Sequence, residues 1–508
     1  MTTKKTLSIA GVSIIITLIN LFSKGLGFVR EMLFAGIFGL GQDYDLLLVS
    51  SVLPLTLSTI LLYLGQNYFI PISNKFLKSD ETKETLFLNL NILIFFIVGT
   101  ILALILYLLK NQVIGLYLSN SNSLIKERAV LIFSIYLVSI PIYSVISILS
   151  AYFQQKLIFI IPAVSQLFLN LCILILVPIF HLKYGILIIP LSYNAGALIQ
   201  LIYLINRANV KSFRLQDLKY FKKNLISISS SLIIVILIES IGQLFLIADR
   251  YFFNVVNKGG IAALNYALNI FLLPISIVAI SIYTVIFPRL TELYTNKSYK
   301  ELEIFLLKNL KLCLIIFIPV TFVFIFYNNF IITILYERGQ FGIEDSIITS
   351  HALSYLSISL FIFSIYGVVN KLFYSSGMLK ILLVITISSC IIKIIMNYTL
   401  VNTLSQNGLA LSTSITYFFL FVVSLFVVSR KLHIKKLYNI YLILLFLMFN
   451  GLVSITVVEI VSKVLSIPVH LKEILKISLF VVVNYNNLVV IDYFPVGHLK
   501  NILPSLKN

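Results

Sequence analysis

Tryptophan is absent from this chain of 508 residues, and only three cysteines, five histidines and 11% charged residues are present. Each shortage excludes something. Without Trp, an aromatic belt at a membrane surface falls to the 28 tyrosines. Cys172, Cys313 and Cys390 lie singly in apolar stretches with no CxxC spacing, which supports neither a disulfide framework nor a metal site. The histidines, His181, His351 and His433 among them, are scattered near loops without metal spacing, and no cofactor is expected. A phosphate-cradling GxxxxGK[ST] loop is also missing, so a nucleotide motor is not encoded here. So few charges do not suit a water-soluble domain, which must wet most of its surface.

Apolar residues are abundant instead, at 59% of the chain and a mean hydropathy of +1.04. Runs of roughly 20 apolar residues recur from end to end, the length that crosses a bilayer as a helix. About fourteen such segments are expected, near residues 6–38, 44–73, 86–109, 129–153, 157–180, 184–206, 225–250, 259–288, 305–334, 349–374, 379–401, 408–430, 437–462 and 473–493. The last is the weakest, because "VVVNYNNLVVIDYF" places polar residues in its middle. "MTTKK" precedes the first apolar run without a small-residue cleavage site, so that run is expected to be retained. The net charge of +19 follows from Lys and Arg in alternate loops, "NKFLKSDETK", "NRANVKSFRLQDLKYFKK", "PRLTELYTNKSYK" and "SRKLHIKK". Such loops stay cytoplasmic, whereas "GQDYD" and "VNTLSQNG" carry no basic residue and face outward. Both termini are then expected in the cytoplasm of a bacterial inner membrane protein, and nucleic acid is not an expected partner.

The basic loop at 207–224 divides the chain into a bundle of six helices over 1–206 and another over 225–430, followed by two more helices and a tail over 431–508. Two bundles joined by a cytoplasmic linker are a plan shared by many secondary transporters. No loop is long enough to hold a soluble catalytic domain.

Against this background "FSKGLGFVRE", residues 22–31, stands out. It sets Lys24, Arg30 and Glu31 within a membrane segment, Arg30 lying about nine residues, or roughly 13 Å of helical rise, before the exit at Gly39. An intramembrane charge costs about 2.5–3.5 kcal/mol or more and therefore faces a partner or water. Asp45, with Asp43 beside it, opens the next segment. Two readings follow: an Arg–carboxylate pair that locks two helices, or a cationic wall of a hydrated cavity that receives an anion.

"SKGLGFVRE" followed by "FGLGQDYD" resembles the opening of the MurJ (MviN) lipid II flippases, whose pattern is Ser-Arg-x-Leu-Gly-Phe-x-Arg-Asp, then Phe-Gly and an Asp. The resemblance continues in order at "IAALNYALNIFLLPISIVAISIYTVIFPRL", "LYERGQFGIEDS" and "NGLALSTSI". It implies an all-α integral membrane fold of the multidrug/oligosaccharidyl-lipid/polysaccharide exporter type, two bundles around a central cavity, with the C-terminal helix pair forming a groove for a lipid tail. It also implies an undecaprenyl-pyrophosphate-linked saccharide as substrate and partner, handled by a monomer among membrane lipids. Carried over by position, Lys24 stands for a family arginine, Arg30 for the cavity arginine and Asp45 for its acidic partner. Ser58 in "LPLTLSTIL" and Asn269 in "NYALNI" stand where arginines occur in the family.

Asp249 and Arg250 in "LIADRYF" are read first as a charged pair at a helix end near the outer surface, and alternatively, through the resemblance, as supplying a coupling-ion ligand. Lys393, unpaired in sequence within "ISSCIIKIIMNYTLV", shares a helix face with Asn397. The family helix contributes polar ligands to a cation site there, so a tethered ammonium is expected to take the place of a sodium ion. Asp345 in "GIEDS" is read as a helix-start cap, and Lys371 as a side chain reaching for the interface. The expected function is export of a lipid-linked saccharide, lipid II first and an O-antigen, capsule or teichuronic-type unit second. A membrane glycosyltransferase would need a catalytic acid or base in a sizeable outer loop, which is lacking. A drug antiporter of the same superfold is not the expected reading, because fold alone does not settle the substrate.

Overall fold

The computed structural model describes residues 9–76, 81–208, 230–432, 434, 439–464 and 469–490. Every regular element among them is a helix. In chain order these are α1 (Ile9–Phe38), α2 (Gln42–Phe76), α3 (Glu81–Leu108), α4 (Lys110–Tyr117), α5 (Ser123–Leu137), α6 (Ser139–Gln155), α7 (Ile160–Tyr184), α8 (Ile188–Ala208), α9 (Ser230–Tyr251) and α10 (Gly260–Pro274). They continue with α11 (Ile280–Thr295), α12 (Tyr299–Phe326), α13 (Asn328–Tyr336), α14 (Ile343–Ser357), α15 (Leu360–Ser375), α16 (Leu379–Leu404), α17 (Gln406–Leu432), α18 (Asn439–Val464) and α19 (Val469–Val490). A bilayer demands this economy, because a helix satisfies its own backbone polar groups where no water can.

The described part of each expected segment is mainly helical, but length and apolarity alone qualify nine helical stretches among the described residues, or ten if α14 and α15, bent by 44°, act as one span. The shortfall from fourteen has physical sources. The 49-residue stretch Ile160–Ala208 is continuous in apolarity but contains two helices, α7 and α8, separated by a 3₁₀ turn at Gly185–Leu187. Charges also lie within α1 (Lys24, Arg30, Glu31), α9 (Glu239, Asp249, Arg250) and α19 (Lys472, Glu473, Lys476), without removing the long apolar stretches of α1 and α9. Elsewhere a single segment holds two helical pieces, as where Pro274 ends α10 and a π-turn over Ile275–Ala279 leads into α11.

The chain packs as two compact units. One comprises residues 1–269, 336–348 and 379–412, the other 270–335, 349–378 and 413–508. This grouping follows packing rather than the chain order expected from a break at 207–224, and that linker, apart from Arg207 and Ala208, lies outside the described residues. The core of the first unit is built by α2, α3, α6 and α8, through Phe69, Phe87, Ile146, Leu149 and Leu204. Lipid tails are as apolar as these side chains, so close packing rather than exclusion of oil from water must hold the helices together. Gly65 shows how: a Cβ there would run into the Ser147 side chain, so α2 and α6 approach as only small residues permit.

In the second unit, α18 and α19 pair through polar residues that made the last segment look weak. Asn450 Nδ2 donates to the main-chain oxygen of Asn484 at 3.3 Å, both residues being buried, and Lys476 reaches Glu459 at 2.8 Å and Glu473 at 3.3 Å. Phe322 of α12 and Phe480 of α19 lie 6.2 Å apart at their ring centroids. Lys371 rests near the rings of Phe287 and Tyr374, at 5.8 and 5.7 Å.

Candidate functional site

The first unit gathers the charges that the sequence placed inside the membrane into two clusters. The first centres on Arg30 and Glu31. Glu31 Oε1 accepts from Arg30 Nη2 at 2.8 Å and Nε at 3.2 Å. Glu31 Oε2 accepts from the Tyr44 hydroxyl at 3.2 Å and from Asn269 Nδ2 at 3.1 Å. Arg30 Nη1 donates to Asn170 Oδ1 at 3.1 Å, and Asn170 is itself held by a bond from Nδ2 to the Ser23 carbonyl at 3.3 Å. Four helices, α1, α2, α7 and α10, thereby meet on one ion pair. A ladder of rings backs it: Tyr44 stacks on Tyr266 at 5.2 Å, and Tyr266 lies 5.0 Å from Tyr336.

The arrangement is unequal in a way that bears on its chemistry. The Glu31 side chain keeps 9% of its surface exposed and Arg30 keeps 25%. The carboxylate receives four donors, near its full capacity, whereas the guanidinium has used three of its five N–H groups on protein acceptors. Arg30 can therefore still bind an anionic oxygen. Lys24 lies exposed on the same helix, about 120° around it from Arg30.

Asp45 is not the partner of Arg30 that position implied. Its two oxygens accept from the backbone amides of Gly259 and Ala262, both at 2.6 Å, and it is buried. The reason lies at the start of α10. Gly259 precedes that helix at a φ of +77°, a conformation that suits glycine, and has no side chain to cap the free amides. Asp45 supplies the cap from another helix, as a charge-assisted pair of bonds. Neighbouring side chains on a helix diverge, so Glu31 was not an obvious partner for Arg30; the long guanidinium bridges that angle. Ser58 is buried, with its hydroxyl donating to the Pro54 carbonyl at 2.9 Å and lying 3.5 Å from Ser139 Oγ. Asp43 forms its ion pair with Arg128 at 2.7 Å.

The second cluster corrects two expectations. Asp249 does not pair with Arg250 at a surface; it is buried and meets Lys393 Nζ at 2.7 Å. Arg250 instead donates to Asn265 Oδ1 at 3.0 Å. Lys393, unpartnered in sequence, is fully enclosed and donates also to the Ser412 hydroxyl at 2.8 Å and the Leu409 carbonyl at 3.0 Å. Asn397 Nδ2 donates to Asp249 Oδ1 at 3.0 Å, and Asn397 Oδ1 accepts from Ser412. Asp345 acts as expected, accepting from the Gly342 amide at 3.2 Å just ahead of α14.

Asn170, Tyr44, Leu409 and Ser412 were not singled out from sequence. An asparagine within the apolar run "LFLNLCILIL" is the one signal available for Asn170, since an unpaired amide is costly in hydrocarbon. Leu409 contributes a main-chain oxygen, for which side-chain patterns hold no signal. No group of three or more His, Cys, Asp or Glu able to hold a metal ion lies among the described residues.

Comparison with known proteins extends these observations to nearly the whole chain. The sequence model of the family described as lipid II flippase MurJ matches residues 34–479. A relative from Buchnera aphidicola named "Probable lipid II flippase MurJ" is 26% identical over 471 residues, covering 89% of this chain and 90% of its own. One of the same name from Borreliella burgdorferi is 24% identical, covering 82% and 83%. Among solved structures, a lipid II flippase MurJ in an inward closed conformation superposes with a TM-score of 0.76 at 20% identity, covering 93% of this chain and 97% of that one. An inward-facing multidrug resistance transporter of the MATE family and MOP superfamily gives 0.65 at 17% identity, covering 83% and 99%. The expected exporter fold is thus the one observed, in a multi-pass membrane protein. With the family model spanning most of its length, the chain belongs to the lipid II flippase MurJ family.

Proposed function

We propose that this protein moves lipid II, the polyprenyl-pyrophosphate-linked precursor of peptidoglycan, from the inner to the outer leaflet of the bacterial inner membrane by alternating access. The observation that carries this reading is the family match over residues 34–479. Arg30, its side chain a quarter exposed and two of its N–H groups uncommitted to acceptors among the described residues, supports it chemically. Its planar fork suits pyrophosphate oxygens, and Lys24 adds charge without the fork. Glu31 and Asn269 hold Arg30 and its carboxylate partner in place, and Asp45 fixes the start of the helix that carries Asn269. Ser58 is buried, with its hydroxyl turned to the Pro54 carbonyl.

No bond is made or broken in this scheme, and the protein is not an enzyme. An interior-negative membrane potential assists outward movement of an anion by about 2.3 kcal/mol per charge per 100 mV, which supplies a driving force without nucleotide. The protein works as a monomer with both termini in the cytoplasm. A second reading, export of another lipid-linked oligosaccharide, draws support from the uncharged side chains at Ser58 and Asn269, which leave fewer cations for the head group. Expression in a strain depleted of its own lipid II flippase separates the two. Restored growth and outward lipid II movement are expected; a membrane-inserted protein that restores neither would overturn the lipid II reading in favour of the second.

A further inference from the structure

The ammonium of Lys393, on α16, sits among oxygen atoms contributed by two other helices. Asp249 of α9 offers a carboxylate, Leu409 of α17 a main-chain carbonyl and Ser412 of α17 a hydroxyl, at 2.7, 3.0 and 2.8 Å. An ammonium has three donors, and these three acceptors match them in number. Asn397, on the same face of α16 as Lys393, ties the shell together by donating to Asp249 and accepting from Ser412. Lys393, Asn397 and Ser412 have no exposed surface, and Asp249 keeps 4%.

Carboxylate, carbonyl, hydroxyl and amide oxygens are what a hard cation takes as ligands. One carboxylate gives the shell a single negative charge, which the lysine neutralises. A free cation does not fit beside it, because the position of closest approach to Asp249 is already filled by a covalently attached positive charge. The resemblance implied a cation site on this helix; the residues present do not leave one open.

We propose that Lys393 is a built-in replacement for a bound monovalent cation, joining α9, α16 and α17 permanently, so that this protein takes up no sodium at this place during its cycle. Truncating the lysine side chain would vacate an oxygen-lined site of net charge −1, and sodium would fill it. The inference concerns this cluster and not the head group, and its main readout involves no lipid substrate, so its failure is distinct from failure of the flippase reading.

The test is thermal unfolding of the purified full-length protein in detergent, in sodium chloride and in choline chloride at equal ionic strength. The wild type is expected to unfold at the same temperature in both salts. K393A and K393N are expected to gain a sodium-dependent rise of roughly 2–4 °C, as for a ligand that binds only the folded state. D249N/K393A, lacking the carboxylate, is expected to lose that rise. A sodium-dependent rise in the wild type, or folded K393A and K393N that ignore sodium, would overturn the proposal. Should neither single variant fold, the wild type decides through sodium binding measured with a radioactive tracer: saturable uptake competed by unlabelled sodium overturns the assignment, and its absence upholds it.

Discussion

Removing Arg30 tests two roles at once, since the residue both closes an ion pair and offers donors to an anion. In R30A the Glu31 carboxylate, 9% exposed, loses two of its four hydrogen bonds and its counter-charge. Breaking a buried pair from one side costs about 3–5 kcal/mol; the quarter exposure of Arg30 places the loss near the lower end, about 3 kcal/mol. E31A leaves the guanidinium with Asn170 alone and is expected to cost about 2–3 kcal/mol. The double variant R30A/E31A removes both charges, so its loss should fall to about 1–2 kcal/mol, giving a coupling of roughly 4 kcal/mol. Stability can be followed with a thiol-reactive fluorophore, because Cys172, Cys313 and Cys390 are all buried and become reactive on unfolding.

Translocation should not follow stability. The two remaining N–H groups of Arg30, at about 1.5–3 kcal/mol for each bond to a charged acceptor, account for at least 3 kcal/mol, more than a hundredfold in rate. The double variant regains folding but still lacks the guanidinium. It is therefore expected to remain at least a hundredfold slow when outward lipid II is measured by an externally added enzyme that cleaves only exposed head groups. Recovery of transport in step with stability would refute the reasoning and reduce Arg30 to a structural lock.

D45N should destabilise the protein by about 2–3 kcal/mol, because two charge-assisted bonds to the α10 amides at 2.6 Å weaken together; the thiol assay would show it, and an unchanged midpoint would count against the cap. G65L should prevent accumulation of folded protein by forcing α2 from Ser147, while G115A, where nothing lies within 4 Å of the added Cβ, should leave the midpoint unchanged or slightly raised; equal behaviour of the two would contradict the close-packing argument. S58R, which supplies the arginine that the family resemblance suggests, should fail to insert stably rather than enhance transport, because the site is buried and the hydroxyl already turned to Pro54; fluorescence-detected size exclusion would reveal the misfolded fraction.

Much of the fold was legible because the bilayer simplifies the code. A run of apolar residues about 30 Å long has one cheap conformation, so the described part of every expected segment is mainly helical. The division of Ile160–Ala208 into two segments was legible too, since a 3₁₀ turn at Gly185–Leu187 separates two helices there, although length and apolarity alone read the stretch as one. At the sites, anomaly was legible and pairing was not. Arg30, Glu31, Asp45, Asp249 and Lys393 each stand out as charges in hydrocarbon. Their partners come from 140, 238, 214 or 148 residues away, separations on which periodicity is silent. The i and i+1 positions of a helix point apart, so spacing does not suggest adjacent Glu31 as a partner for Arg30, a rule that ignores the reach of a guanidinium.

The two buried ion pairs of the first unit show why pairing alone does not decide between lock and ligand site. Both join a basic side chain to a carboxylate at 2.7–2.8 Å, and each engages an asparagine, Asn170 of α7 for Arg30 and Asn397 of the lysine's own helix for Asp249. What differs is the donor balance on the cation. Lys393 is fully enclosed, and its three donors meet three oxygens, so any further ligand would have to displace a bond already made. Arg30 keeps a quarter of its side chain exposed and two donors in hand, while its carboxylate is held by Tyr44 and Asn269 and cannot rotate to take them. A saturated cation in an enclosed shell stabilises a state; an unsaturated one at an open edge binds something that arrives. Mutating Asn269 rather than Arg30 would probe that edge most gently: N269A frees one lone pair of Glu31, lets the carboxylate turn toward the spare donors, and should weaken substrate binding by roughly tenfold with the guanidinium still present.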